Sequence, residues 1–380
     1  MQTDIKLFTP GPTHVPEQVR LRLAQPLIYH RSPEFRQILQ RVEKNLQYIF
    51  QTEQNVYVLT SSGTAAMEAV IANLLSSDDQ ALVIEAGKFG ARWSELCMAY
   101  GVPVTSHKLP WGRALQPDEL VGLLQAKNDF RAVFLTHCET STGVAIDLPV
   151  LAKVIHQYSA ALVIVDGISS VGALPLKMRE WGLDAVVSAA QKGFMCPPGL
   201  SFVACSPRAE QAMIATNRPR YYFDLRKARQ ALEHNDTPFT PAISLLLGLD
   251  EALQMMCTEG LERIWQRHHR LAQATRATMI GLNLQLFAEQ PADVVTVVRL
   301  PAALQDKDLI GQLKNRGFII AGGQGKLKGQ IFRIAHLGAC DEQDLAELIA
   351  ALATVLRESG WACQPDAVVS TFRQQLTAGR

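Results

Sequence analysis

The sequence has no excess of charge of either sign: 37 Lys and Arg stand against 36 Asp and Glu in 380 residues, a formal net charge of +1. A chain so balanced has no net field with which to gather nucleic acid or an anionic membrane surface. No apolar run approaches the ~18–20 residues that span a bilayer, and Met1-Gln2-Thr3-Asp4-Ile5-Lys6 lacks the hydrophobic centre of a secretory signal. A soluble, cytoplasmic protein with neither membrane nor nucleic acid as partner is expected. The seven cysteines are an odd count without a C-x-x-C pair, which excludes a disulfide framework, a structural zinc and a cysteine-held iron–sulfur cluster, so reduced and mostly buried thiols are expected. The nine histidines include no H-E-x-x-H, and His268-His269 point apart on a helix, so no metal site is expected. What the chain does have is 48% hydrophobic residues against 19% charged, enough for one large core or two smaller ones, which excludes disorder.

Phe35, Leu39, Val42, Leu46 and Ile49 recur at helical spacing behind Ser32-Pro33, which supplies an N-cap and first turn. Asn55–Thr60 reads as a strand, Ser61-Ser62-Gly63 as a turn, and Thr64–Leu75 as a helix, which together make one α/β unit. Short β-branched runs return at Gln80–Glu85, Arg131–His137, Ala160–Asp166 and Asp184–Ala189, the pattern of buried strands in a largely parallel sheet. Residues 217–242, rich in Arg, Tyr and Pro, show neither period and read as a surface excursion. A long helical region follows from Ala242 to Met279, then strands at Val294–Leu300 and Gln330–Ala335. The last firm helix runs from Asp341 to Glu358, with Gly360 just past its end. The division is a large domain, 1–259, with an N-terminal arm, and a smaller α+β domain, 260–380.

Ser61-Ser62-Gly63-Thr64 lies between strand and helix, where the first helical N–H groups and the hydroxyls form a phosphate site; alone, such a turn is more often just an N-cap. Asp166 closes an apolar strand, where a carboxylate needs a cation, strong donors or a helix to cap. Lys192 follows the strand Asp184–Ser188 among small neighbours that can lower its pKa, although a lone lysine is ordinarily a solvated charge. In an open α/β sheet all three fall outside the carboxyl ends of the strands, where ligands bind. Pyridoxal phosphate needs this set: a phosphate on a helix start, an aldehyde for a lysine, and a pyridinium nitrogen facing an acid.

With these residues the sequence resembles the class V aminotransferases of fold-type I, which include alanine–glyoxylate and serine–glyoxylate enzymes. The resemblance rests on Pro10-Gly11-Pro12, Thr60–Thr64, Gly87-Lys88-Phe89-Gly90, Thr136–Gly143, Val165-Asp166-Gly167, Gln191-Lys192-Gly193 with Pro197-Pro198-Gly199, Phe239-Thr240-Pro241-Ala242 and Phe332-Arg333-Ile334. It is nearest to a cyanobacterial branch labelled the small subunit of a soluble hydrogenase. It implies a mainly parallel seven-stranded sheet in the large domain and a homodimer with a shared active site. Lys192 would be the Schiff-base lysine and proton shuttle, and Asp166 the partner of the ring nitrogen. That pair is worth about 4 kcal/mol at about 4 Å and an effective dielectric of about 20, before desolvation. Ser62, Gly63, Thr64 and Gln191 would bind the phosphate, joined by Thr240 of the second subunit, with Thr237 as the alternative. Phe89, where human-type enzymes carry tryptophan, would stack on the ring, Ile168 would pack on its other face, and Thr140 would lie by its phenolic oxygen. Arg333 would clamp the substrate carboxylate, with Gly11 beside it; His336, at the opposite strand parity, reads as a structural or rim histidine.

The implied reaction is a ping-pong transamination from alanine or serine to glyoxylate or pyruvate. A lyase or desulfurase on the same fold is the alternative, although a desulfurase needs a mobile-loop cysteine and none lies between Cys257 and Cys340. An accessory hydrogenase subunit without chemistry of its own is the third reading, and Lys192, Asp166 and Arg333 argue against it. Gly322-Gly323-Gln324-Gly325-Lys326 matches no nucleotide loop, since position 328 is Lys where G-x-G-x-x-G needs Gly, and reads as a flexible loop over the substrate site.

Overall fold

The computed structural model describes residues 5–378. From the N-terminus run β1 (Lys6–Phe8), α1 (Glu17–Leu23), α2 (Pro33–Phe50), β2 (Val56–Leu59), α3 (Gly63–Leu74), β3 (Gln80–Glu85), α4 (Lys88–Ala99), β4 (Val104–Lys108), α5 (Pro117–Ala126) and β5 (Phe130–Thr136). The middle of the chain forms β6 (Cys138–Glu139), β7 (Val144–Ala145), α6 (Leu148–Tyr158), β8 (Leu162–Asp166), β9 (Ala185–Ala189), β10 (Ser201–Cys205), α7 (Pro207–Ala215) and α8 (Leu225–Leu232). Beyond it lie α9 (Ile243–Glu259), α10 (Leu261–Gly281), β11 (Val295–Arg299), α11 (Leu309–Asn315), β12 (Phe318–Gly322), β13 (Ile331–Ala335), α12 (Glu342–Glu358) and α13 (Pro365–Ala378).

Seven strands form the large sheet in the order β2-β10-β9-β8-β5-β3-β4. Only β10 is antiparallel to its neighbours, so the other strands share one direction and their carboxyl ends share one edge. β8 and β9 are buried throughout, because helices cover both faces of the sheet, and their continuous Val, Ile and Ala runs follow from that. α2 begins as its sequence dictates: Ser32 Oγ accepts from Phe35 N, Pro33 occupies the first turn, and Phe35, Leu39, Val42, Leu46 and Ile49 are buried. Each such side chain contributes about 1.5–3 kcal/mol over an exposed one.

A second sheet has the order β1-β12-β13-β11. The N-terminal strand β1 pairs in parallel with β12, more than three hundred residues later in the chain. The long helical region expected over Ala242–Met279 is present as two helices that meet at Gly260, whose φ of +83° is incompatible with a right-handed helix. Residues 217–242 are not wholly irregular, since Asp224 caps the short helix α8. α12 keeps its expected bounds behind a capping box of Asp341 and Asp344, but α13 follows it and packs Phe372 and Leu376 into the core of this half. The seven cysteines are free thiols, with Cys97, Cys138, Cys196, Cys205 and Cys340 buried. Among the described residues no helix is long and apolar enough to cross a membrane.

Candidate active site

Asp166 is the last residue of β8, and Lys192 lies in the turn after its parallel neighbour β9, so the sheet itself delivers a carboxylate and an amine to one edge. Asp166 is 4% exposed and Lys192 9%. Burial pushes the Asp166 carboxyl up to about 7, against the Ile168 N–H that donates to its Oδ1 at 2.8 Å and the charge of Lys192. Burial also brings the Lys192 amine down to about 8, against the attraction of Asp166. Burial thus drives both groups toward their neutral forms. Pro10 O accepts a hydrogen bond from Lys192 Nζ, and Thr13 N and Oγ1 donate to the carbonyls of Gln191 and Lys192 at 3.1 Å each, latching the N-terminal segment over the lysine turn. Gly11 lies directly on the Lys192 side chain, and any Cβ there would collide with its Nζ, Cε and Cδ.

The pKa of Lys192 predicts a reactivity profile. The neutral amine is the nucleophile, so competitive acetylation of cofactor-free protein should rise with pH through about 8 and level off above about 9. An ordinary lysine keeps gaining until about 10.4. Mass spectrometry of the peptide containing residue 192 reads the midpoint, and a continuing rise beyond pH 10 would mean an unperturbed amine.

Ser62, Gly63 and Thr64 open α3 at the same edge. Ser62 does not cap the helix with its side chain, and Ala65 N donates to Ser62 O at 3.0 Å, which leaves the N–H groups of Gly63 and Thr64 without a side-chain cap at the positive end of the helix dipole. Gly63 is buried under Ile168, whose Cδ1 occupies the space a side chain would need. Gln191 Oε1 is buried without a hydrogen-bond partner among the described residues. A bare helix start, a glycine-floored approach, a buried acid and a buried lysine all fit pyridoxal phosphate.

Phe89 is half-buried near the start of α4. Its position depends on Glu139, a residue given no role from sequence. The Glu139 carboxylate is 1% exposed and accepts from Phe89 N and Gly90 N at 2.9 Å each on Oε2, and from Ser141 N and Oγ on Oε1. It therefore caps α4 from some fifty residues away in the chain. The next residue, Thr140, is buried, and its carbonyl accepts from Arg333 Nη1 at 3.0 Å. One turn thus ties the Phe89 helix to Arg333.

Arg333 is central in β13 and 5% exposed; its Nε donates to Gly322 O at 2.9 Å. Burial lowers its pKa while Glu139 raises it, and it makes no ion pair among the described residues. His336 is fully buried and bonded through Nε2 to Thr296 Oγ1 at 3.1 Å, which selects the structural of its two expected readings. The segment Gly322–Lys326 runs from the end of β12 into a short turn at Gly325–Leu327, with Lys326 Nζ 4.4 Å from the Trp111 ring centre. Thr240 stands apart on the exposed surface, whereas the hydroxyl of Thr237 is engaged with Phe239 O at 2.8 Å.

This geometry has close counterparts. The family described as aminotransferase class-V matches residues 7–327. A protein of Synechococcus sp. (strain PCC 6716) named soluble hydrogenase, small subunit is 44% identical over 95% of both chains. The L-aspartate–glyoxylate aminotransferase of Paracoccus denitrificans (strain Pd 1222) is 34% identical over 100% of this chain and 99% of its own. The crystal structure of ureidoglycine–glyoxylate aminotransferase from Bacillus subtilis superposes with a TM-score of 0.93 at 27% identity, covering 98% of each chain.

Proposed function

The chain belongs to the class-V aminotransferases, a family whose cofactor is pyridoxal phosphate, and from that premise we propose that it moves the amino group of alanine or serine to glyoxylate or pyruvate in two half-reactions. The single observation that carries this reading is the buried Lys192 amine, brought down to about 8 by its surroundings, at the sheet edge that also holds Asp166. Glyoxylate is favoured as acceptor because the Paracoccus and Bacillus relatives share it in their names while differing in donor.

Pyridoxal phosphate, when bound, supplies an aldehyde that exchanges amines and a ring that accepts electrons. Ser62, Gly63, Thr64 and Gln191 hold its phosphate. Asp166 keeps a proton on the ring nitrogen. Phe89 and Ile168 close the two faces of the ring, and Thr140 borders its phenolic oxygen. Arg333 fixes the substrate carboxylate, with the backbone of Gly11 beside it. Lys192 Nζ, neutral for part of the cycle, takes the proton from Cα of the amino acid and later returns one to Cα of the product.

The site is completed by a second copy of the chain, with Thr240 reaching the neighbour's phosphate. Support comes from exposed apolar residues on two loops, Leu27 and Tyr29 on one and Tyr221 and Tyr222, packed against Phe239, on the other; Arg31, which pairs with Asp236 and donates to Thr237 O, joins the two loops. The alternative of an inert hydrogenase subunit leaves the buried amine, acid and guanidinium without a use.

The test is a donor and acceptor screen on purified protein, with alanine, serine and aspartate against glyoxylate, pyruvate and hydroxypyruvate, read by the colour of the bound cofactor. Bleaching by alanine or serine and recovery with glyoxylate are expected from a dimeric protein. A preparation that binds the cofactor but responds to none of these pairs would remove the proposed substrates.

A further inference from the structure

Every group assigned above to the phosphate is electrically neutral, although a phosphate monoester carries about −1.5 to −2 charges at neutral pH. Helix-start N–H groups and hydroxyls supply partial charges, and a dianion held in a crevice calls for a full one. A cation lies beside that place. Arg92, on α4, donates from Nη1 to Thr64 Oγ1 at 3.3 Å, so its guanidinium touches the third residue of the helix-start cup. Its Cζ is also 5.1 Å from the ring centre of Phe89.

Three further observations set it apart from a solvated arginine. It is half-buried, and it makes no ion pair among the described residues, whereas Arg41, Arg226, Arg267 and Arg276 each meet a carboxylate within 3 Å. Its helix is anchored at the N-terminus by Glu139, so the base of its side chain is fixed. Its charge is felt inside the crevice, where it lowers the pKa values of both Asp166 and Lys192. Arginine is the side chain whose fork suits phosphate oxygens.

We propose that Arg92 is a phosphate-binding residue of this site and supplies its full positive charge, reaching the anion beside Thr64. The inference rests on the pyridoxal phosphate reading above. The same guanidinium could meet the side-chain carboxylate of a dicarboxylic amino acid, but its bond to Thr64 puts it at the start of α3, where the helix dipole already favours an anion. The phosphate is therefore the occupant.

The experiment compares equilibrium binding of pyridoxal phosphate and of pyridoxal, which lacks the phosphate, to cofactor-free wild type, Arg92→Met and Arg92→Lys. Arg92→Met should weaken pyridoxal phosphate about 10- to 100-fold, the range for losing a hydrogen bond to a charged group, and leave pyridoxal within about twofold. Arg92→Lys should recover most of the loss. Unchanged affinity for pyridoxal phosphate in Arg92→Met would overturn the proposal, as would equal weakening of both ligands, which would make Arg92 a support for the Phe89 ring. A raised KM for aspartate but not alanine, with pyridoxal phosphate affinity intact, would reassign Arg92 to substrate. Wild type that binds neither ligand would instead overturn the cofactor reading itself.

Discussion

Lys192→Ala should fold, bind pyridoxal phosphate non-covalently, and lose transamination by about 10⁴-fold, the upper range for removing a positioned proton-transfer group. The loss has two physical sources. The variant has no amine to bond the cofactor, and no base whose pKa, near 8 in the wild type, suits proton transfer at neutral pH. The fold should tolerate the change, because burying an ammonium opposes folding and alanine removes that cost, while Pro10 O loses one donor. Single-turnover absorbance with alanine reads the chemical step, and thermal denaturation reads the fold. A folded Lys192→Ala protein with wild-type turnover would take the lysine out of the mechanism.

Arg333→Ala should lower kcat/KM for amino acid and oxo acid alike by about 10²–10³-fold, mostly through KM, the consequence of losing a bidentate charge-assisted contact with carboxylate. The geometry accounts for this. A guanidinium has about five N–H donors, and Arg333 gives one each to Gly322 O and Thr140 O, which orients it and leaves the rest of its fork free. Arg333→Lys should recover little, since an ammonium cannot hold both carbonyls and present a planar fork. Because Arg333 also ties β13 to the turn that carries Glu139, a substrate-binding role must be separated from a structural one. Hydroxylamine attacks the bound cofactor without needing a carboxylate, so its rate with Arg333→Ala should match wild type. A parallel loss with hydroxylamine would show that the arginine acts by holding the site together.

The elements legible in the sequence were those with local causes. α2 announced itself by Ser32-Pro33 and its apolar spacing, and β8 and β9 by continuous β-branched runs. β4 stayed hidden because it is an edge strand whose Thr105, Ser106 and His107 show no apolar run. β1 is three residues long and is a strand only because β12 is there to pair with it. Gly260 is visible in the sequence as a glycine, but its positive φ, which divides α9 from α10, belongs to the fold.

The same division holds for the site. Chain order alone put a helix start, Asp166 and Lys192 at the carboxyl ends of parallel strands, because in a sheet of this class every strand-to-helix turn emerges on one edge. The sequence therefore determined which reactive groups the protein has and that these three lie at one edge of the sheet. Only the tertiary structure decided which distant residues serve them: Glu139 on the backbone of Phe89 and Gly90, Thr140 O on Arg333, and Arg92 against Thr64. Those contacts join elements far apart in the chain, and no local period or spacing encodes them. They exist because the packing of two sheets and their helices leaves a buried carboxylate one set of N–H donors and a buried guanidinium one pair of carbonyls to meet.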